Sequence, residues 1–537
     1  MNYLYYGDNL EVLRESVPSA SVDLVYLDPP FNSNRSYNVL FADRSGKAAQ
    51  AQIEAFDDTW TWSQDTEAAF KELVRGDAPV RVAEAIDAMR RLLGDNDVLA
   101  YLVMMTQRLV ELHRVLKSTG SLYLHCDPTA SHYLKVMLDA VFGPTCFRNE
   151  VIWERTHSHN MRAKTWPKTN DVILFYTKTQ KYYFEHQFTD YGPEQLGRFK
   201  EDEQGRLYKA ENLTFSTPNP SRQFEWRGAK PPPSRSWGMS REQLEKLYAQ
   251  GRILLKKDGT PRLDGWKIYL EETRGKPVGS NWSDIPRVSN TSAERLGYPT
   301  QKPEALLGRI IGASSNEGDT VLDPFCGCGT TIAVAQRLRR QWVGIDITYL
   351  AVDLIDKRLR DTYGDDVRAT YEVRGIPRDV DGARALFQAN PFDFERWAVS
   401  RVDGQPHQRS EQAGDKGVDG WIRFPASERE IGRAIVSVKG GHQLNPGMVR
   451  DLRGTVESQR ADMGVLITLE PPTDGMLKEA RRSGSYMHPT TGHSYPCVQV
   501  ITVSDLLAGR QPHMPSAFLP YVKARRVGMA QQGTFGV

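Results

Sequence analysis

Two strand-to-turn segments constrain this chain more than any other feature. The apolar run Val22-Asp23-Leu24-Val25-Tyr26-Leu27 stops at Asp28-Pro29-Pro30-Phe31. Far downstream, Thr320-Val321-Leu322 stops at Asp323-Pro324-Phe325-Cys326-Gly327-Cys328-Gly329-Thr330-Thr331. Each reads as a buried strand ending in an acidic residue and a tight turn, which is how open α/β sheets deliver chemistry at the carboxyl ends of their strands. Between and around them strands alternate with helices. Leu102, Met105, Leu109, Leu112 and Leu116 recur at helical spacing, and after a turn at Gly120 the run Ser121-Leu122-Tyr123-Leu124-His125 follows as a strand. Helix followed by buried strand is the pattern of a doubly wound sheet.

The alternation divides the chain into blocks. It holds over 1–184, fails over 185–295, and returns over 296–375, where Ala305-Leu306-Leu307 and Ile310-Ile311 mark a helix and Trp342-Val343-Gly344-Ile345-Asp346 a further strand. The middle block interleaves Arg222, Trp226, Arg227, Lys230, Arg235 and Trp237 around Pro231-Pro232-Pro233, so it reads as loops and short strands. A polar connector over 376–390 leads to a last domain over 391–537, a typical domain size.

Composition narrows the setting. The 537 residues carry a net charge of only +2, so a nucleic-acid surface has to be a local patch. Five cysteines, an odd number with no paired zinc spacing, fit a reduced cytoplasmic protein. No apolar stretch reaches the roughly 18 residues of a membrane span, and Met1-Asn2-Tyr3-Leu4 lacks the basic start of a secretory signal, so neither secretion nor membrane insertion is expected.

A strand, a Gly-x-Gly turn and a helix bring backbone N–H groups close to a ligand, and Gly327 and Gly329 supply that turn. Asp346 ends the next strand at nearly the spacing where an acidic residue meets ribose hydroxyls. A nicotinamide cofactor would favour the full GxGxxG, which is missing. Taken together, the two segments resemble the catalytic and cofactor motifs of the DNA amino-methyltransferases, in the order of the permuted β class. The resemblance spans about residues 1–375. It implies a permuted Rossmann-like α/β fold with an inserted target-recognition region at 185–295, and S-adenosylmethionine as cofactor. Asp323, Phe325, Gly327 and Gly329, with Thr330 behind them, would surround its methionine portion and Asp346 its ribose. Asp8 would face the adenine ring, although it reads equally as a helix cap. Gln301 and Lys302, in Thr300-Gln301-Lys302-Pro303, would close the pocket.

The same resemblance implies methyl transfer to the exocyclic nitrogen of adenine or cytosine in double-stranded DNA. That nitrogen is a weak nucleophile because its lone pair is delocalised into the ring. Asp28, with the carbonyl of Pro29 in a turn stiffened by Pro30, would accept its N–H bonds and free the lone pair. A base within a duplex has to be flipped out to reach such a site. Phe31 would stack on it. Aspartate at the first motif position favours adenine N6 over cytosine N4, although N4 specificity stays open. A cytosine-C5 mechanism is set aside, because its Pro-Cys pair, Pro496-Cys497, lies in the last domain ahead of the strand Val498-Gln499-Val500-Ile501, where a buried strand cysteine is expected.

In that domain, Gly414-Asp415-Lys416-Gly417-Val418-Asp419-Gly420 precedes the strand Ala434-Ile435-Val436-Ser437-Val438-Lys439. This resembles the Mrr-like branch of the PD-(D/E)xK nucleases, a restriction-endonuclease-like α/β fold. It implies Asp419 as a metal ligand, Lys439 beside the attacked phosphate, and Glu395 reaching a Mg2+ ion from a helix. Ser437 departs from that pattern, which usually has Glu or Gln there, and a hydroxyl is a poor ligand for a hard cation. The domain is therefore expected either to cut DNA with Glu395 compensating, or to act only as a DNA-binding module beside a regulatory methylation activity. A restriction-modification or phage-defence setting follows, with a homodimer or a partner subunit both open.

Overall fold

The structure is a computed structural model; it describes residues 1–515 except 31–35, 43–47, 58–61, 77, 129, 157–163, 290, 291, 293, 297–299, 407–417, 428 and 429. Two compact units separate, 186–279 on its own and 1–185 together with the remainder of the chain.

A nine-stranded sheet organises the larger unit. Its order is Asn281–Trp282, Phe147–Glu154, Asn170–Thr177, Leu116–Cys126, Val22–Leu27, Thr320–Asp323, Gln341–Asp346, Asn2–Tyr6 and Tyr371–Arg374. Asn170–Thr177 runs antiparallel to both of its neighbours, and the other pairings are parallel. The central strands are buried on both faces, as covered parallel strands must be; in Val22–Leu27 only Asp23 is not fully buried. Helices cover the sheet, and Asp97–Val115 is so enclosed that Leu99 to Leu109 are all buried, Arg108 included.

The placement of Val22–Leu27 beside Thr320–Asp323 decides the function. Val25 is in register with Leu322. From the first strand the chain goes on to Leu116–Cys126 on one side, and from the second to Gln341–Asp346 on the other. The crevice between them is a topological switch point, where open α/β sheets bind ligands. Asp28, Asp323 and Asp346 all stand at its carboxyl edge.

A second sheet in this unit has the order Gln405–Pro406, Gly420–Pro425, Ile431–Lys439, Met463–Thr468, Val498–Thr502, with its last three strands parallel. Pro446–Ser458 and Asp474–Arg482 supply Val449, Leu452, Val456 and Met476 to one face, and Pro391–Ser400 supplies Phe394 and Trp397 to the other. That second core also contains Tyr349, the first residue of the helix Tyr349–Tyr363 that follows the cofactor strand. Tyr349 meets Tyr6 edge to face, and Lys357 pairs with Asp403 at 3.1 Å. The two sheets thus share side chains.

The unit 186–279 has its own four-stranded sheet, in the order Ile253–Leu255, Pro261–Tyr269, Leu207–Glu211, Lys200–Glu201. Trp226 and Trp237, each 1% exposed, form its core with Leu213, Leu244 and Ile253. Arg222 and Arg235 bond to the backbone at Gly238 and Thr214, and Arg227 pairs with Glu245. The tryptophans and most of the arginines of this block are therefore structural. Among the described residues no helix is long and apolar enough to cross a membrane.

Candidate active site

A cavity of about 350 Å³ opens at the switch point. Of the residues expected around a cofactor or base, Asp8, Asp28, Pro29, Pro30, Lys302, Asp323, Phe325, Gly327, Thr330 and Asp346 line it. Phe31 lies outside the described residues. Gln301 is a correction. Its amide donates to the Glu294 carbonyl at 2.5 Å and accepts from the Leu296 N–H at 2.8 Å, so its polar groups are used in ordering its own loop and it does not line the cavity.

The catalytic wall is built around an ion pair. Asp28 Oδ2 accepts a hydrogen bond from Lys302 Nζ, and the two side chains are 15% and 12% exposed. Lys302 therefore contacts the acid of the Asp-Pro-Pro turn as well as the pocket. Asp28 Oδ1 is buried and has no hydrogen-bond partner among the described residues. A buried acceptor left open is costly unless a ligand completes it.

The cofactor wall is a glycine turn. Asp323 Oδ1 accepts from the Phe325 N–H at 3.0 Å. Gly329 has φ +73° and caps the helix Thr330–Arg337, whose first two residues line the cavity. A Cβ on Gly329 would sit 2.5 Å from Ile355 Cγ1, so glycine is required by backbone angle and by space. Asp346 binds the turn back to its strand: Oδ2 accepts from the Gly327 N–H at 2.8 Å, while Oδ1 accepts from the Thr348 N–H and hydroxyl at 2.9 and 2.8 Å.

Both readings of Asp8 hold in part. Oδ1 caps the helix Asn9–Ser16 through the Leu10 N–H at 2.8 Å, and Oδ2 pairs with Arg108 at 2.8 Å. Arg108 is absent from the residues that the motifs pick out. It also donates to Asn9 Oδ1 at 2.5 Å, and Asn9 Nδ2 donates to the Pro324 carbonyl at 2.7 Å, tying the first helix to the glycine turn. An arginine within an otherwise apolar helical run is the sequence signal that marks it.

Three buried carboxylates make the cavity acidic. Burial pushes Asp323 up to about 7, against the Thr331 hydroxyl and the Phe325 N–H, with Asp28 and Asp346 adding repulsion. Burial also raises Asp346, opposed by its bonds from Thr348 and Gly327. The thiols of Cys326 and Cys328 are raised by burial, so neither offers a ready thiolate nucleophile.

In the C-terminal sheet Asp419 is 5% exposed, and its Oδ2 accepts from the Val438 N–H at 2.6 Å and from the Ser437 hydroxyl at 3.3 Å. Its carboxylate thus closes the strand Ile431–Lys439 onto the preceding segment. Glu395 lies within the helix Pro391–Ser400, and Lys439 ends its strand. Among the described residues no group of three or more His, Cys, Asp or Glu is gathered to hold a metal, so the Asp419 and Glu395 centre expected for Mg2+ is not assembled from them. Cys497 is only partly buried, between Ser494–Pro496 and Val498–Thr502 and not within a strand.

Comparison with known proteins agrees with this architecture. Residues 392–507 match the family NACHT-associated inactive restriction endonuclease 1. The type II methyltransferase M.EcaI of Enterobacter cloacae is 29% identical over 400 residues, covering 73% of this chain and 78% of its own length. The DNA adenine methyltransferase YhdJ of Escherichia coli is 25% identical over 375 residues, 70% of this chain and 86% of its own. A DNA modification methylase of Thermus thermophilus, solved with S-adenosyl-L-methionine, is 17% identical, with a TM-score of 0.32 over 70% of this chain and 99% of that one. Residues 22–357, more than half of the chain and both walls of the cavity, match the N6/N4 DNA methylases. The chain belongs to that DNA methylase family.

Proposed function

We propose that the chain methylates the exocyclic amino group of a flipped base in double-stranded DNA, adenine N6 before cytosine N4, with S-adenosylmethionine as methyl donor. The observation that carries this is the open, buried Oδ1 of Asp28 beside an acidic cavity at the switch point. The cavity volume falls in the range of small-molecule sites. When bound, S-adenosylmethionine supplies an electrophilic methyl on a cationic sulfonium. Asp28, Asp323 and Asp346 give the cavity the negative charge that suits such a cation. Lys302 holds Asp28 by one oxygen, leaving the other to accept an amino N–H. Positioning and electrostatics then do the catalytic work, with no covalent enzyme intermediate. The aspartate of the first motif position and the likeness to an adenine methyltransferase support adenine.

The unit 186–279 is proposed as the target-recognition region, reading DNA through its exposed residues, since its tryptophans are used internally. The domain over 391–537 is proposed as an inert nuclease-like DNA-binding module. The tied-down Asp419, the serine at 437 and the likeness to an inactive endonuclease family support this. Sequencing DNA for modified bases after expression in a methylation-free host tests the first proposal, and N4-methylcytosine in place of N6-methyladenine would correct the base. Plasmid cleavage by the purified chain with magnesium or manganese would overturn the last.

A further inference from the structure

One surface element at the catalytic edge is used by neither motif. From Arg155 to Asn170 the sequence contains Arg155, Arg162, Lys164 and Lys168, with no acidic residue, and a single aromatic, Trp166. Trp166 is 95% exposed, the most exposed large apolar side chain described. Tryptophan has much to gain from cover, and one left in water beside lysines calls for a partner with flat apolar faces and negative charge. Stacked bases on a phosphate backbone have both.

Topology puts this element where the target base must leave the duplex. Trp166 precedes the strand Asn170–Thr177, whose Val172 is in register with Cys126 of Leu116–Cys126, and that strand lies next to the one ending at Asp28. Two strand spacings of about 4.8 Å separate its start from the Asp28 strand, and four residues of chain at up to about 3.5 Å each extend from there to Trp166. The base of the element is firmly held. Arg155 Nε lies 3.3 Å from Asp171 Oδ1, Asp171 Oδ2 contacts His125 Nε2 at 3.2 Å, and His125 Nδ1 meets the hydroxyl of Tyr26, a cavity-lining residue, at 2.9 Å. Pro167 stiffens the backbone immediately after the tryptophan.

We propose that Trp166 enters the duplex at the target position and takes the stacking place of the flipped base, while Lys164 and Lys168 hold the flanking phosphates. This rests on the reading that the base is flipped. It adds a residue outside the proposed recognition region that favours the extrahelical state and contributes nothing to the methyl transfer itself.

The test uses the full chain and a duplex carrying its mapped site, either fully paired or with the target base mispaired and so already loosened. Trp166→Ala should slow single-turnover methylation of the paired duplex by at least about 10-fold, whereas Trp166→Phe keeps most of the rate. On the mispaired duplex Trp166→Ala should return to within about 3-fold of the unsubstituted chain, with S-adenosylmethionine affinity unchanged throughout. The Lys164→Ala, Lys168→Ala double variant should raise the KM for DNA and flatten its salt dependence. Equal rates for Trp166→Ala and the unsubstituted chain on the paired duplex overturn the proposal, as does an equal loss on both duplexes. Absence of methylation by the unsubstituted chain instead strikes the underlying function.

Discussion

Replacing Gly329 by alanine perturbs the cofactor turn at one atom, with a cost that can be worked out beforehand. The residue has φ +73°, a left-handed conformation that costs a Cβ-bearing residue roughly 1–2 kcal/mol. The new methyl would lie 2.5 Å from Ile355 Cγ1 and 3.0 Å from its Cδ1, so Ile355 or the helix carrying it has to move. Overpacking of this kind costs about 1–3 kcal/mol, which brings the total to roughly 2–5 kcal/mol. The helix Thr330–Arg337 that Gly329 caps would shift away from the cavity, so cofactor affinity should fall along with stability. Thermal unfolding followed by circular dichroism reads the first effect and titration calorimetry with S-adenosylmethionine the second. Ile355→Ala removes both clashing atoms. The double variant Gly329→Ala, Ile355→Ala should therefore be less destabilised than the sum of the single changes by about 1–3 kcal/mol. Full stability of Gly329→Ala, or strict additivity in the cycle, would show that the turn is not packed in this way.

Three further outcomes are expected. Lys302→Met leaves the largely buried Asp28 carboxylate without its cation, and should cost roughly 3 kcal/mol of stability and most of the methyl transfer, with Lys302→Arg intermediate; denaturation and rate measurements on both variants check this. Asp323, raised to about 7, is protonated below that pH and ionised above it. The preference for cationic S-adenosylmethionine over neutral S-adenosylhomocysteine should therefore grow as pH rises through about 7, and Asp323→Asn should abolish the trend. In folding linkage the raised value means that the stability Asp323 contributes is complete below its unfolded value of 3.8 and is lost as pH climbs through about 7. Asp419→Ala strips the buried Val438 N–H of its acceptor and should destabilise the C-terminal domain by about 1–3 kcal/mol without altering any DNA cleavage, which is expected to be absent before and after.

Local sequence carried the parts of the site that local chemistry determines. Asp28, Asp323, Gly327 and Asp346 each end a strand or form its turn, and the register of adjacent parallel strands was enough to bring them to one edge. What stayed hidden depends on contacts between distant segments. Lys302 reads as a pocket residue, and only the fold brings its ammonium to Asp28. Gln301, one position away, points its amide into its own loop, because neighbouring side chains in an irregular segment have no fixed period to assign their direction. Trp226 and Trp237 look like recognition residues in a basic, proline-rich stretch but are the core of a small domain that has few other large apolar side chains. The Asp419 motif was legible as a pattern; its use as a backbone tie became visible only once the Val438 N–H was located.

The central claim is that Asp28 is the acceptor that activates the amino group. Single-turnover transfer of labelled methyl from S-adenosylmethionine to DNA, compared between the unsubstituted chain and Asp28→Ala, tests it most directly. The rate constant should fall by at least about 100-fold, as loss of an aimed electrostatic group does, while cofactor affinity changes only modestly. A transfer rate in Asp28→Ala within a few fold of the unsubstituted chain would contradict the assignment.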